Sequence, residues 1–162
     1  QDEALTEIAE TVLSSLEDVH RIGRELRPEA LEDLGLVNAL IALCSRIGRQ
    51  GGLVVRRDLD GHLPPVSHEI ELVIYRVAQE ALTNALRHAQ GSEVTVSLRC
   101  SDGAVVLRVS DNGRGLPEPR REGGLGGMRE RAILIGAELA VDSGRGRGTE
   151  VTLTVPVQGD ER

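Results

Sequence analysis

The chain has 162 residues, enough for one domain with a core of its own and a short appended element. All 19 basic residues are arginine, and they stand against 26 acidic ones. The net charge of −7, with no Lys/Arg-rich run, argues against a surface that coats nucleic acid or an acidic membrane. The lack of lysine excludes a P-loop and Schiff-base chemistry on lysine, and with neither Trp nor Phe and a single Tyr there is no aromatic stacking platform.

In residues 1–27, Leu5, Ala9, Val12, Leu16, Val19, Gly23 and Leu26 alternate steps of four and three, with Ile8 and Ile22 widening the stripe. That is the repeat of a helical bundle seam. Such a helix cannot bury its stripe alone, so it calls for a partner helix, either earlier in the same chain or in a second copy; docking on its own domain is the alternative. Pro28 ends this arm, and residues 28–36 are expected to form an irregular linker. A helix follows from about Val37 to Arg49, with Val37, Leu40, Cys44 and Ile47 on one face and Gly51 and Gly52 as its stop. Cys44 and Cys100 sit in apolar patterns without CxxC spacing and are expected to be reduced core thiols. No signal peptide or membrane span is visible. The start at Gln1 without Met is expected of a piece of a longer protein.

Leu53 to Leu59 is a short strand, followed by a turn at Gly61 to Pro65 and a long helix over 67–89. Ile70, Val73, Val77 and Ala81 form the helix's core stripe, while Glu71, Tyr75, Gln79 and Thr83 lie on the other side. Glu80, Asn84 and His88 fall on the core stripe. Polar groups buried there need partners, which a ligand, a metal or a structural network can supply.

Val94, Val96, Leu98 and Cys100 alternate, as do Val105, Leu107 and Val109, so Ser101 to Gly103 joins a hairpin. Leu125 to Gly136 is a third helix, and Leu139 to Asp142 with Val151 to Val157 forms another strand pair. The fold class is α+β: a two-layer α/β sandwich with a mostly antiparallel sheet and helices on one face. Glycine-rich stretches stand beside these strands. Asp111 ends a strand, where a carboxylate can accept a hydrogen bond from an amino group, and Gly113 and Gly115 let a ligand approach the backbone. Leu116 to Gly124 has the composition of a mobile lid. Gly124, Gly126 and Gly127 open a helix whose free N–H groups favour an anion, and Thr149 follows Gly146 and Gly148. Taken singly, DNGRG could be an ordinary hairpin turn and GRGRG a plain strand connection; the glycines also do not make a dinucleotide GxGxxG.

In order and spacing, EALTNALRH, DNGRG, GGLGGMRER and GRGTE resemble the four boxes of the Bergerat-fold ATPases, the group of gyrase, the heat-shock chaperone, MutL-type repair proteins and histidine kinases. RVAQEALTNALRHA, GLGGMRERA and LRPEALEDLGLVNAL further resemble the sensor histidine kinases that pair with LuxR-type response regulators. The resemblance covers almost the whole chain. It implies that residues 1–27 are the second helix of a dimerisation and histidine-phosphotransfer bundle, 28–36 a linker, 37–157 the catalytic ATP-binding domain and 158–162 a tail. It implies Mg²⁺ on Asn84 with Glu80 beside it as the catalytic pair. Arg87 and His88 would line the phosphate and nucleoside side, and Asp111 would recognise the adenine amino group above Gly113 and Gly115. Gly124, Gly126 and Gly127 would form the lid hinge near the phosphates, with Leu125 and Met128 beside them among the nucleotide-binding residues and Thr149 supporting the adenine side through water. ATP or ADP, a LuxR-type response regulator and a second copy through the bundle are the implied partners, in a cytoplasmic domain of a sensor that can be membrane-anchored.

One departure limits this expectation. The family's acceptor box reads roughly RELHD, whereas here Arg27 stands where the histidine would be and Pro28 follows. His20, beside the seam without a following acid, is expected to be a solvated edge residue, so the acceptor histidine is expected outside this chain. Two other classes stay open: a nucleotide-binding regulatory module without transferase activity, and a protein serine kinase of the anti-sigma type.

Overall fold

The computed structural model describes residues 3–12, 28–88, 90–115 and 124–157. The lower seam from Leu16 to Leu26, His20, Arg27, the lid stretch 116–123 and the tail 158–162 lie outside the described residues. Residues 3–12 form helix α1, on which Leu5, Ile8 and Val12 are exposed.

Helix α2 (Glu29–Gln50) starts earlier than its periodicity suggests. The Pro28 carbonyl accepts hydrogen bonds from Leu31 N at 3.0 Å and Glu32 N at 3.3 Å, and Glu29 and Glu32 occupy the first turn, where negative charge suits the helix dipole. The helix is kinked at Gly35 and continues to Gln50. Residues 28–36 are therefore not an irregular linker. Leu31 and Leu36, 1% and 7% exposed, belong to the core. A proline that breaks a helix interior suits a helix start, and here it does the latter.

Strand β1 (Val54–Leu59) leads through α3 (His68–His88) to the hairpin of β2 (Glu93–Ser101) and β3 (Ala104–Asp111). The hairpin turns on Asp102 and Gly103, with φ of 51° and 74°, as a tight two-residue turn with positive φ at both central positions requires. Helix α4 (Gly124–Leu134) precedes β4 (Glu138–Gly144) and β5 (Gly148–Pro156). The sheet order is β1-β2-β3-β5-β4; β1 and β2 are parallel and the other pairs antiparallel. A parallel pair needs a crossover, which α3 supplies while packing on β2, β3 and β5.

Cross-strand register builds the core in rows. Val96, Val109, Val151 and Val141 stand side by side, then Leu98, Leu107, Leu153 and Leu139. Most of these side chains are buried, and residues of the opposite face, such as Thr95, Ser97, Thr152 and Thr154, are only partly covered. The helices thus cover one face, as a two-layer sandwich requires. Two expectations need correction. Tyr75 is buried at 4% exposure, because α3 packs on α2 as well as on the sheet and so has a second apolar face that includes Ile74, Ala78 and Leu82. Cys44 is buried, but Cys100 is exposed: β1 ends at Leu59 opposite Leu98, leaving Cys100 two residues beyond the last neighbour on that side.

Candidate functional site

The next row of the sheet is different. Val94, Asp111, Thr149 and Ser143 are its cross-strand partners, so the apolar rows end in three oxygen-bearing side chains at one edge of the helix-covered face. Above this edge passes the last turn of α3. Ala81, Asn84 and His88 from α3 close a recess with Val109 and Asp111 of β3, Gly115, Leu125 of α4, and Thr149 and Val151 of β5. Residues 65 positions apart in sequence, Asn84 and Thr149, thereby line one cavity.

The turn after β3 holds this recess in shape. Asp111 Oδ1 accepts a hydrogen bond from Gly113 N at 2.9 Å. Asn112 Oδ1 accepts from Ser92 N at 2.9 Å and Glu93 N at 3.0 Å, and its Nδ2 donates to Ser92 Oγ at 3.0 Å, which ties the turn to the start of β2. Arg114 Nε donates to the His88 carbonyl at 2.8 Å, and the Arg114 carbonyl accepts from Gly146 N at 3.2 Å. One short segment so connects the end of α3 with the β4–β5 hairpin. Two glycines make this approach possible. Gly115 has φ +82°, and a Cβ there would meet the Gly144 carbonyl oxygen at 2.5 Å; Gly148 has φ +76°, and its Cβ would collide with the Asp111 carbonyl.

Of the residues expected from the sequence, the recess brings together Asn84, His88, Asp111, Gly115, Leu125 and Thr149. Glu80 is half-buried one turn before Asn84, and Arg87 is exposed beside the recess; neither is in its wall. Gly113 contributes its N–H to Asp111 rather than to the wall. Gly124, Gly126 and Gly127 lie in the first turn of α4, whereas Met128 is 1% exposed and packs in the core. One turn before Glu80, the Arg76 guanidinium donates to Gln79 Oε1 at 2.8 Å; burial, then the nearby Arg131, hold it below its ordinary pKa.

Periodicity marks Ala81, Val109 and Val151 as core positions, and the structure makes them the apolar wall of the recess, Val109 standing two before Asp111 and Val151 two after Thr149. Ser143 lies beyond the strand that the sequence pattern ends at Asp142; the strand runs on to Gly144. The alternation Leu139, Val141, Ser143 carries it onto the same face.

A polar sheet edge facing Asn84 and His88, beside a glycine-bounded helix start, is the arrangement the four motifs anticipate. The family described as histidine kinase-, DNA gyrase B-, and HSP90-like ATPase (HATPase_c) matches residues 69–159, which hold α3, the turn after β3, α4 and the β4–β5 hairpin. The chain belongs to this family. It is 40% identical over 153 residues to the oxygen sensor histidine kinase NreB of Staphylococcus carnosus, covering 91% of this chain and 44% of that protein. The chain thus spans less than half the length of this HATPase relative. The histidine kinase domain of the blue-light activated histidine kinase from Erythrobacter litoralis EL346 superposes with a TM-score of 0.66 at 30% identity, over 75% of this chain and 61% of that one. The histidine kinase AdeS of Acinetobacter baumannii superposes with the same TM-score over 97% of this chain and 84% of its own, at 14% identity, which shows a shared fold. The five-stranded sandwich is accordingly a domain of the HATPase_c family, with a fold shared with histidine kinases.

Proposed function

We propose that this chain binds ATP in the recess between α3 and the Asp111–Thr149 edge and presents its terminal phosphate to a histidine outside the chain, from which a response regulator receives it. The convergence of Asn84, His88, Asp111 and Thr149 on one cavity, in a chain of the HATPase family, is the observation that carries this. Asp111 accepts the exocyclic amino group of adenine through its carboxylate, with Gly113 N–H orienting that group. Ala81, Val109, Val151 and Leu125 offer the base an apolar slot. The first turn of α4, with Gly124, Gly126 and Gly127, directs free N–H groups and a positive dipole end at phosphate.

Among the described residues no group of three or more His, Cys, Asp and Glu could hold a metal alone. An ion held mainly by phosphates and water needs only one or two protein ligands, and Asn84 and Glu80 offer oxygens for Mg²⁺ in that role. When bound, the ion neutralises phosphate charge, which is most of what phosphoryl transfer asks of a site. Asn84 supplies an amide oxygen and Glu80, one turn away, orders a water or the ion's hydration. Arg87 and His88 are then left for the phosphate and nucleoside edge.

The rest of the proposal concerns the longer protein. The exposed Leu5, Ile8 and Val12 on α1, 65%, 60% and 51% accessible, suit a helix that meets a partner helix in a homodimeric bundle. A response regulator of the LuxR type and a cytoplasmic setting complete the picture. Among the described residues, no helix is long and apolar enough to cross a membrane.

Titration with ATP, with and without Mg²⁺, tests the site. Asn84→Ala is expected to weaken Mg²⁺-dependent binding about tenfold or more, the scale of losing a metal ligand or its support. An unchanged isotherm would remove Asn84 from the site.

A further inference from the structure

The carbonyl end of α3 is closed from outside the helix. The last carbonyls of a helix lack partners within it, and the chain leaves α3 through Gln90 at φ 52°, where helices more often place glycine. The His88 carbonyl finds its donor 26 residues further on: Arg114 Nε–H donates to it at 2.8 Å and sets a guanidinium charge against the negative end of the α3 dipole. A charged donor makes the stronger kind of hydrogen bond. Arg114 is itself exposed and is not in the recess wall, but its neighbours are. His88 lines the recess, as do Asn84, one turn earlier on the same helix, and Gly115, next in the chain. The Arg114 carbonyl accepts from Gly146 N at 3.2 Å, so the residue that caps α3 is in turn held by the β4–β5 hairpin.

We infer that Arg114 is a positioning residue for nucleotide binding: as a cap supplied from the turn after β3, it holds the last turn of α3, from Asn84 to His88, in place opposite Asp111. The inference rests on the nucleotide reading above. Without the cap this turn frays, and a frayed turn must be ordered again before Asn84 and His88 can meet a ligand. That ordering cost is subtracted from the binding free energy. Arg114 needs no contact with the nucleotide for this effect, because it acts on the fraction of the chain whose recess is ready to bind.

The test uses the whole chain as wild type, Arg114→Met and Arg114→Lys. Two quantities are read well below the melting temperature of each: amide hydrogen exchange without nucleotide, and the dissociation constant for ATP with Mg²⁺. Arg114→Met keeps an apolar stem and the backbone bond to Gly146 but loses the donor, and because Arg114 is exposed it leaves the core intact. Its amides over 85–88 should exchange about three- to tenfold faster, the scale of one hydrogen bond, with those of β3 and β5 unchanged, and ATP should bind more weakly by a similar factor. Arg114→Lys, which restores a charged donor, should bring both quantities back toward the wild type. Unchanged exchange over 85–88 in Arg114→Met overturns the inference even if ATP binding weakens, since that pattern belongs to a direct contact with phosphate. Unchanged ATP affinity, or a lysine variant as weak as the methionine one, overturns it as well. If the wild type binds ATP and Arg114→Met binds it equally, this inference alone is lost; if the wild type binds no ATP, the nucleotide reading falls and takes it along.

Discussion

At the scale of single residues, the two thiols differ by environment. Cys44, 2% exposed, has its thiol pushed up from 9.0 to about 11 by burial, whereas Cys100 is exposed at the end of β2. A thiol reagent at pH 8 is expected to titrate one cysteine in the folded chain and a second only on unfolding. The same shift links stability to pH. Below pH 9 both folded and unfolded chains hold the Cys44 proton, so nothing changes. Above it the unfolded thiol ionises first, and stability falls by about 2–3 kcal/mol as pH approaches 11. In denaturant melts across that range, Cys44→Ala should show a shallower alkaline decline than the wild type; parallel declines would show that Cys44 is not the titrating group.

Single residues also show where local pattern is a sufficient guide. Asp111 and Thr149 announce themselves by standing at the ends of alternating strands next to glycines. Ser143 does not, since its place beside Thr149 comes from register, which pairs the two through a hairpin whose length the sequence does not state. Tyr75 misleads for a related reason. Helical periodicity marks one apolar stripe well, but α3 touches a sheet and another helix, and a second neighbour makes a second stripe.

At the scale of elements, the recess depends on backbone meeting backbone. The turn after β3 and the β4–β5 hairpin touch where Gly148 faces the Asp111 carbonyl and Gly115 faces Gly144. Gly148→Ala is expected to cost at least about 2 kcal/mol, since φ of +76° and a colliding methyl act together. Because the displaced group is the Asp111 backbone, nucleotide affinity should fall along with the melting temperature. A variant that melts like the wild type and binds ATP normally would mean that the two segments are not held in this contact. Helix α2 carries a different lesson. Its first turn is built on a proline and two glutamates that fit a helix start, yet the same letters after a seam-like arm suggest an interruption. What separates the two readings is that Leu31 packs at 1% exposure, a tertiary fact.

At the scale of the whole molecule, the order of layers was legible because each segment's period was long and clean: alternating β2, β3 and β5, and an uninterrupted 21-residue α3. The order of strands was not legible. Nothing local states that β5 lies between β3 and β4 or that β1 runs parallel to β2. The proposed division of labour is also a whole-molecule matter. Incubated with labelled ATP and Mg²⁺, this chain alone should acquire little label, while a separately supplied helical bundle with an acceptor histidine should become labelled when the chain is added. Label appearing on the chain itself would point to His20 and against an external acceptor.

The strand order sets the timetable of synthesis. Among the described residues strand β4 pairs only with β5 and is made before it, so during synthesis β4 has no strand to join until β5 is made and takes its place beside β3. Asp111 is by then long made, but it faces neither Thr149 nor Ser143. The floor of the recess is therefore completed only when β5 is in place, joining Asp111 to Thr149 and Ser143 in one row.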